Sequence, residues 1–196
     1  EERTTLQAEY YSEREAEGIE HHLEGIYNRY NVAAAATIGR YFCIEEEATR
    51  HAIGSYLPDN NRSQREERAT NTLIIDCYNA NPSSMQASIE NFLAAPLGER
   101  KERVLVLGDM RELGRWSEEE HLRIIRLAER DTTARVIFVG EEFGKAISSM
   151  LDDVKRAHYA TCEELYQTLQ EQRLTDSLIL IKASRGIGLE RIIELL

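Results

Sequence analysis

The 196-residue chain has little that would tie it to metals, membranes or nucleic acids. Its three cysteines, Cys43, Cys77 and Cys162, are odd in number and far apart, and none forms a C-x-x-C pair. That spacing argues against a metal knuckle or a disulfide framework and suits a reduced, cytosolic protein with buried or semi-buried thiols. No apolar run approaches the roughly 20 residues that a membrane span needs, and no N-terminal targeting segment is visible. The formal net charge is -11. Such a balance argues against a nucleic-acid groove, which needs clustered Lys and Arg, yet it leaves room for a small anion held by a few local cations. Solubility accounts for most of the acidity. Neither G-x-x-x-x-G-K-[ST] nor a G-x-G-x-x-G opening a helix occurs, so the chain has no obvious phosphate cradle. Internal repeats and low-complexity segments are also absent. The chain opens on Glu1-Glu2 rather than Met, which raises the expectation of an excised fragment.

Three zones carry structure. Residues 1–24 are polar and weakly alternating, as in "TTLQAEYYSE" and "GIEHHLEG", a pattern compatible with two short strands for which no pairing partner is evident. Residues 26–56 read as two helices, the first Ala-rich in "NVAAAATIGRYF", the second in "EEEATRHAIGSYL". Pro58 and "DNN" end them, and a domain boundary is placed near residues 57–62. From residue 71 the pattern turns regular. "TLIIDC", "RVLVLG", "RVIFVG" and "SLILIK" are near-continuous Val/Leu/Ile runs, with "AHYA" at 157–160 as a short fifth. Helical stretches are expected at 82–95, 117–130, 142–151, 162–172 and 185–196. Continuous apolar runs are what parallel strands buried on both faces need, and strand–helix alternation implies a three-layer α/β/α domain with right-handed crossovers. Ser117-x-x-Glu120 and Thr161-x-x-Glu164 have the spacing of capping boxes. Asn81 and Ser83 have cap chemistry ahead of or beside Pro82.

The polar residues gather where the strands end: Asp76-Cys77-Tyr78-Asn79, then Gly108 to Gly114, then Gly140-Glu141-Glu142, then Lys182-Ala183-Ser184-Arg185-Gly186. In an open α/β sheet that edge is where ligands bind. Turn and cap preference accounts for many of these residues. It accounts less well for Asp76, which precedes the cap by several positions and is assigned a ligand role. Lys182 and Arg185 are the cations suited to an anionic substrate, Arg185 by a bidentate grip and Lys182 as a point charge; the plain alternative is a solvated surface. Asn28 and Asn31 in "GIYNRYN" lie three apart and share a helix face. An N-cap role explains Asn28 but not Asn31, and paired amides can read a base edge. His121, beside three glutamates, reads as part of a solvated helix face, and His21-His22 as structural.

In this order the segments "HLEGIYNRYNVAAAATIGRYF", "NNRSQ", "IIDCYNANPSSMQASIENF", "VLVLGDMRELG" with "EEEH" after it, and "IKASRGIGLERII" resemble the Mur ligases of peptidoglycan synthesis. The pairing "DCYNANPSSM…VLGDMRELG" is similar to the branch that adds D-alanyl-D-alanine. The resemblance covers about residue 22 to the end. It implies a Rossmann-like C-terminal domain at residues 61–196, preceded at residues 1–60 by a helical remnant of the central ATP-binding domain. The P-loop and the Mg²⁺ ligands of such enzymes are then expected upstream of Glu1, along with the remaining domains of the same chain. ATP and Mg²⁺ are the implied cofactors. UDP-N-acetylmuramoyl-tripeptide and D-Ala-D-Ala are the implied substrates of the whole enzyme, in the cytoplasm. The isolated chain is expected to be inactive, with no catalytic residue and no metal ligand of its own.

Residue by residue, the resemblance implies that Asn28 and Asn31 lie near adenine, that Arg62 reaches the nucleotide, and that Asp76 bonds the ribose hydroxyls. The loops at 108–114, 140–142 and 182–185 are the implied rim for the amino substrate, with Asp109, Glu112, Lys182, Ser184 and Arg185 as its named residues. Two departures stand out. "IYN" replaces a histidine that many members have before the first asparagine, and Ala183 stands where glycine is usual, a restriction if that turn needs positive φ. The alternative, from another class, is a non-catalytic flavodoxin-like α/β binding module that docks partners through the apolar faces of residues 26–56.

Overall fold

A computed structural model of the chain describes residues 8–23, 25, 28–58, 61–152 and 154–196. They fall into two compact units, residues 1–57 and 58–196. In the first, Ser12 and Glu15 form a capping box around a 3₁₀ turn, Glu13–Ala16. Residues 8–23 contain no strand. This corrects the expectation of two strands over 1–24, of which residues 1–7 and 24 lie outside the described residues. Weak alternation of polar residues gives no apolar face to bury, and the local capping bonds win.

Helices α1 (Asn28–Tyr41) and α2 (Glu46–Ser55) follow as expected. Gly39 lets them approach, since a Cβ there would fall 2.7 Å from Thr49 Oγ1. Helix α1 ends where Cys43 adopts a φ of 56° and Ile44 N–H bonds back to the Gly39 carbonyl at 3.0 Å. The core of this unit is small: Ala16, Val32 and Ala33, with Ile19, Leu23 and Ile53 half-buried around them. Helix α2 buries no residue fully.

The second unit is a six-stranded sheet between two helical layers. Its strands are β1 (Gln64–Glu67), β2 (Thr72–Asp76), β3 (Glu102–Gly108), β4 (Arg135–Val139), β5 (Ala157–Tyr159) and β6 (Ser177–Lys182). The order is β1-β2-β6-β3-β4-β5, all parallel except β1, which pairs antiparallel with β2. Alternate side chains feed two cores. Leu73, Ile75, Val104, Val106, Ile179 and Ile181 pack with α6 (Cys162–Glu171) and the C-terminal segment. Ile74, Leu105, Leu107, Leu178 and Leu180 pack with α3 (Pro82–Ala94), α4 (Ser117–Ala128) and α5 (Glu141–Ser149). Each fully buried aliphatic side chain contributes about 1.5–3 kcal/mol, so this two-faced core holds the strand ends in register.

Several local expectations change. Strand β1 was not foreseen: "QREE" has no β-branched residue, and it becomes a strand only because the β2 edge offers it a partner. Residues 185–196 form 3₁₀ turns, Arg185–Ile187 and Leu189–Leu195, broken by Gly188 at a φ of 76°. Asn81 caps α3 as expected, but its reciprocal partner is Ser84, not Ser83. Ser117 caps nothing, because a 3₁₀ turn (Gly114–Trp116) runs directly into α4. Thr161 does cap α6, while Glu164 reaches Ala160 N–H rather than closing a full box. Ala183 is buried at ordinary φ, so the turn does not require glycine there.

Candidate functional site

Strands β2 and β6 end side by side, with Asp76 opposite Lys182 in the register. Lys182 is 1% exposed, which overturns the solvated-surface alternative for it. Its Nζ donates to Asp76 Oδ2 at 2.7 Å and to the Asn79 carbonyl at 3.0 Å. Ser88 Oγ, from α3, donates to the same Asp76 oxygen at 2.8 Å. A buried ammonium needs such compensation. Asp76 Oδ1 carries no hydrogen bond to a described residue. Burial pushes the neighbouring Cys77 thiol up to about 12, with Glu190 and Asp76 adding to the effect, so Cys77 is an inert core residue here.

Tyr78 stands exposed just beyond this pair. The Arg62 guanidinium lies 3.8 Å from the centre of its ring and that of Arg185 lies 5.4 Å away. Both are cation–π contacts. Neither guanidinium has a carboxylate partner among the described residues. The structure therefore gathers Asp76 with Lys182, and Arg62 with Arg185, at one end of the sheet edge.

The other end is organised by Asp109. Its two oxygens accept from Glu142 N–H at 3.0 Å and Phe143 N–H at 2.9 Å, capping α5 from a different strand. Gly140 makes this possible: its φ is 123°, and a Cβ would overlap the Asp109 carboxylate. His121 is 0% exposed, so its reading as a solvated residue is corrected. The loop after β3 folds back over the first turn of α4 and encloses it. Nε2 accepts from Met110 N–H at 3.1 Å and Nδ1 lies 2.7 Å from the Ser117 carbonyl, an arrangement that uses the neutral ring protonated at Nδ1. Ser117 Oγ donates to Glu142 at 2.6 Å. Bonds from Lys145 and then Ser117 hold the Glu142 carboxyl below the usual range.

Between the ends of β3, β4, β5 and β6 lies an open cleft of about 840 Å³. Its walls come from 109–114, 117, 140–142, 160–162 and 186–187. Three of the four strand-end clusters line it, and the first, at 76–79, does not. Of the expected rim residues, Asp109 and Glu112 are in these walls. Ser184 is buried, and its Oγ accepts from Arg111 N–H at 3.0 Å. Lys182 is committed to Asp76. Arg185 is exposed beside Tyr78 instead. Tyr78 and Arg111 entered only as members of strand-end clusters, and His121 only as a solvated residue. Spacing gives no signal for them, because each depends on how a loop closes.

In the first unit, Asn31 Nδ2 donates to Asn28 Oδ1 at 2.7 Å, so the two amides share a face and align one another. Among the described residues no group of three His, Cys, Asp or Glu is placed to hold a metal. No helix among them is long and apolar enough to cross a membrane.

Comparison with known proteins follows the same lines. A UDP-N-acetylmuramoyl-tripeptide–D-alanyl-D-alanine ligase of Treponema pallidum is 33% identical over 177 residues, covering 89% of this chain and 38% of the relative. The Bacillus subtilis ligase of the same name is 32% identical over 174 residues, covering 87% and 38%. The chain thus spans under two fifths of the curated relatives it matches. A MurF crystal structure from Acinetobacter baumannii superposes with a TM-score of 0.72 at 26% identity, covering 87% of this chain and 37% of that one. MurF from Thermotoga maritima in complex with ADP gives 0.68 at 22% identity, covering 88% and 38%, a likeness of fold. The profile described as "Mur ligase, glutamate ligase domain" matches residues 61–185, and the chain belongs to the Mur ligase family.

Proposed function

We propose that the chain is the carboxyl-terminal part of an ATP-dependent ligase that adds D-alanyl-D-alanine to UDP-N-acetylmuramoyl-tripeptide in the cytoplasm. The observation that carries this reading is the sheet edge: a cation–carboxylate–aromatic cluster at one end and an 840 Å³ cleft at the other, in one rigid register. The names of relatives at 32–33% identity support the substrate class. In this reading the tripeptide carboxylate attacks the γ-phosphate of ATP, breaking the bond to the β,γ-bridging oxygen, giving an acyl phosphate and releasing ADP. The dipeptide amine then attacks the acyl carbon and expels phosphate.

Arg62 offers charge to the phosphates, and Asp76 offers Oδ1 to the ribose hydroxyls while Lys182 and Ser88 fix its other oxygen. The Asn28–Asn31 pair is assigned to adenine on the resemblance alone. The cleft receives the amino substrate. Phosphoryl transfer depends mainly on positioning and charge neutralisation, and closing a site over an acyl phosphate excludes the water that would hydrolyse it. Mg²⁺ ligands and the P-loop are assigned to the rest of the enzyme, so the 196-residue chain alone is expected to be inactive.

The test is a transplant. Residues 61–196 would replace the matching domain of the Bacillus subtilis relative. The chimera is expected to release phosphate from ATP only when both the UDP-tripeptide and D-Ala-D-Ala are present. A folded chimera without that release, while the Treponema pallidum domain in the same place supports it, would sink the reading.

A further inference from the structure

We propose that Arg111 is the carboxylate-gripping residue of the cleft, and that its ligand is the free α-carboxylate of the incoming amino substrate. The identity of that substrate rests on the ligase reading above; the chemistry of the grip does not.

Among the described residues that line the cleft, Arg111 is the one Lys or Arg. It is held at two points. Its backbone N–H donates to Ser184 Oγ at 3.0 Å, and its Nη2 donates to the Gly186 carbonyl at 3.0 Å. The guanidinium also lies flat against Gly186. A Cβ at 186 would sit 2.8 Å from Cζ, 2.9 Å from Nη1 and 3.0 Å from Nε, near-equal distances that place it over the face of the group. Gly186 has no left-handed φ, and a Cβ there would meet only the end of this side chain, so glycine at 186 leaves room for the guanidinium in this position and a larger residue would displace it.

The consequence is a guanidinium with its face covered and its edges free. The hydrogen bond to the Gly186 carbonyl uses one of five N–H donors, and no carboxylate of a described residue pairs with the group. In a chain with 35 acidic and 24 basic residues, that is notable. A fork already anchored loses little freedom when it binds a planar carboxylate at two points. The remaining charge selects the ligand class. Glu112, Glu141 and Glu142 stand on the same walls, so a polyanion is disfavoured. A small zwitterion fits, its carboxylate on Arg111 and its ammonium beside Glu112 and Glu141, since Glu142 is already bonded by Lys145 and Ser117. Asp109 is unavailable for this, since both its oxygens cap α5.

The experiment is NMR titration of the 196-residue chain, following backbone amides 110–114 and 186–187 and the Arg111 Nε–H. The probes are D-alanyl-D-alanine and its C-terminal carboxamide. The dipeptide is expected to shift these signals, and the carboxamide to bind about tenfold or more weakly, the loss expected for a charge-assisted hydrogen bond. Arg111→Gln is expected to weaken the dipeptide by a similar factor and to abolish the difference between the two probes. Gly186→Ala, which alters no charge, is expected to weaken the dipeptide by displacing the guanidinium. Equal binding of dipeptide and carboxamide to the unaltered chain overturns the assignment to Arg111 and leaves the ligase reading standing. No shift at any cleft signal overturns both this proposal and the cleft as the amino-substrate site; the chimera then decides the ligase reading separately.

Discussion

Asp76 and Asp109 both end or follow a parallel strand at the same edge of one sheet, and the protein satisfies them in opposite ways. Asp76 is met by a charge, the buried Lys182 ammonium, with Ser88 assisting. Asp109 is met by peptide groups, the first free amides of α5. The first solution costs desolvation of a cation and leaves one carboxylate oxygen without a bond to any described residue. The second uses both oxygens and a helix dipole and leaves nothing over. The difference teaches how to read acids at strand ends. Position alone marks both as ligand candidates, but only Asp76 keeps an oxygen available, whereas Asp109 acts as scaffold for the cleft floor.

The comparison is broken most sharply at Lys182. Lys182→Met removes the cation and leaves a carboxylate with 13% of its side chain exposed. Breaking such a pair from one side costs about 3–5 kcal/mol. Urea unfolding should show that loss for the single variant and much less for Lys182→Met combined with Asp76→Leu, which removes both charges. A single variant as stable as the parent would show that the pair contributes nothing net.

The next effect is expected at the other end. Gly140→Ala sets a Cβ into the Asp109 carboxylate at a backbone φ of 123°. Backbone strain and overpacking together are expected to cost about 2–4 kcal/mol. The damage should be local: hydrogen exchange of the Glu142 and Phe143 amides should speed up, while the β2–β6 pairing stays protected. Loss of protection spread evenly over the sheet would show that the two ends are not independent.

Much of this frame was legible because it is built from apolar periodicity. The runs at Leu73–Ile75, Val104–Leu107 and Leu178–Ile181 had to be buried on two faces, so the parallel sheet followed from them. Strand β1 was illegible because "QREE" carries no burial signal of its own. The 3₁₀ tail was illegible because Gly188 breaks a stretch whose composition suits an α-helix. At the site, the strand-end clusters named the right edge but not the right atoms. Lys182 and Ser184 were read as rim residues, yet both point their polar atoms into the fold. Arg111 was marked only through its loop, 108–114, because what singles it out is its contact with Gly186, 75 positions away. Side-chain direction at a strand end depends on which loop closes over it, and spacing along the chain does not encode that.

The smallest expected effect sharpens the comparison on the α5 side. Glu142 sits in the first turn of α5, bonded by Lys145 and Ser117, and its pKa is lowered from 4.5. Folding therefore favours its ionised form. The sign follows directly: this stability is present above the unfolded pKa and is lost as pH falls through the lower folded value. Because a third of the side chain is exposed, solvent screening limits the contribution to at most about 0.5 kcal/mol. Glu142→Gln should be slightly less stable than the parent near neutral pH, and the gap should close in acid. Measured unfolding free energies that keep the same gap across that range would mean that the Ser117 and Lys145 bonds, rather than the ionisation of Glu142, carry what little this contact contributes.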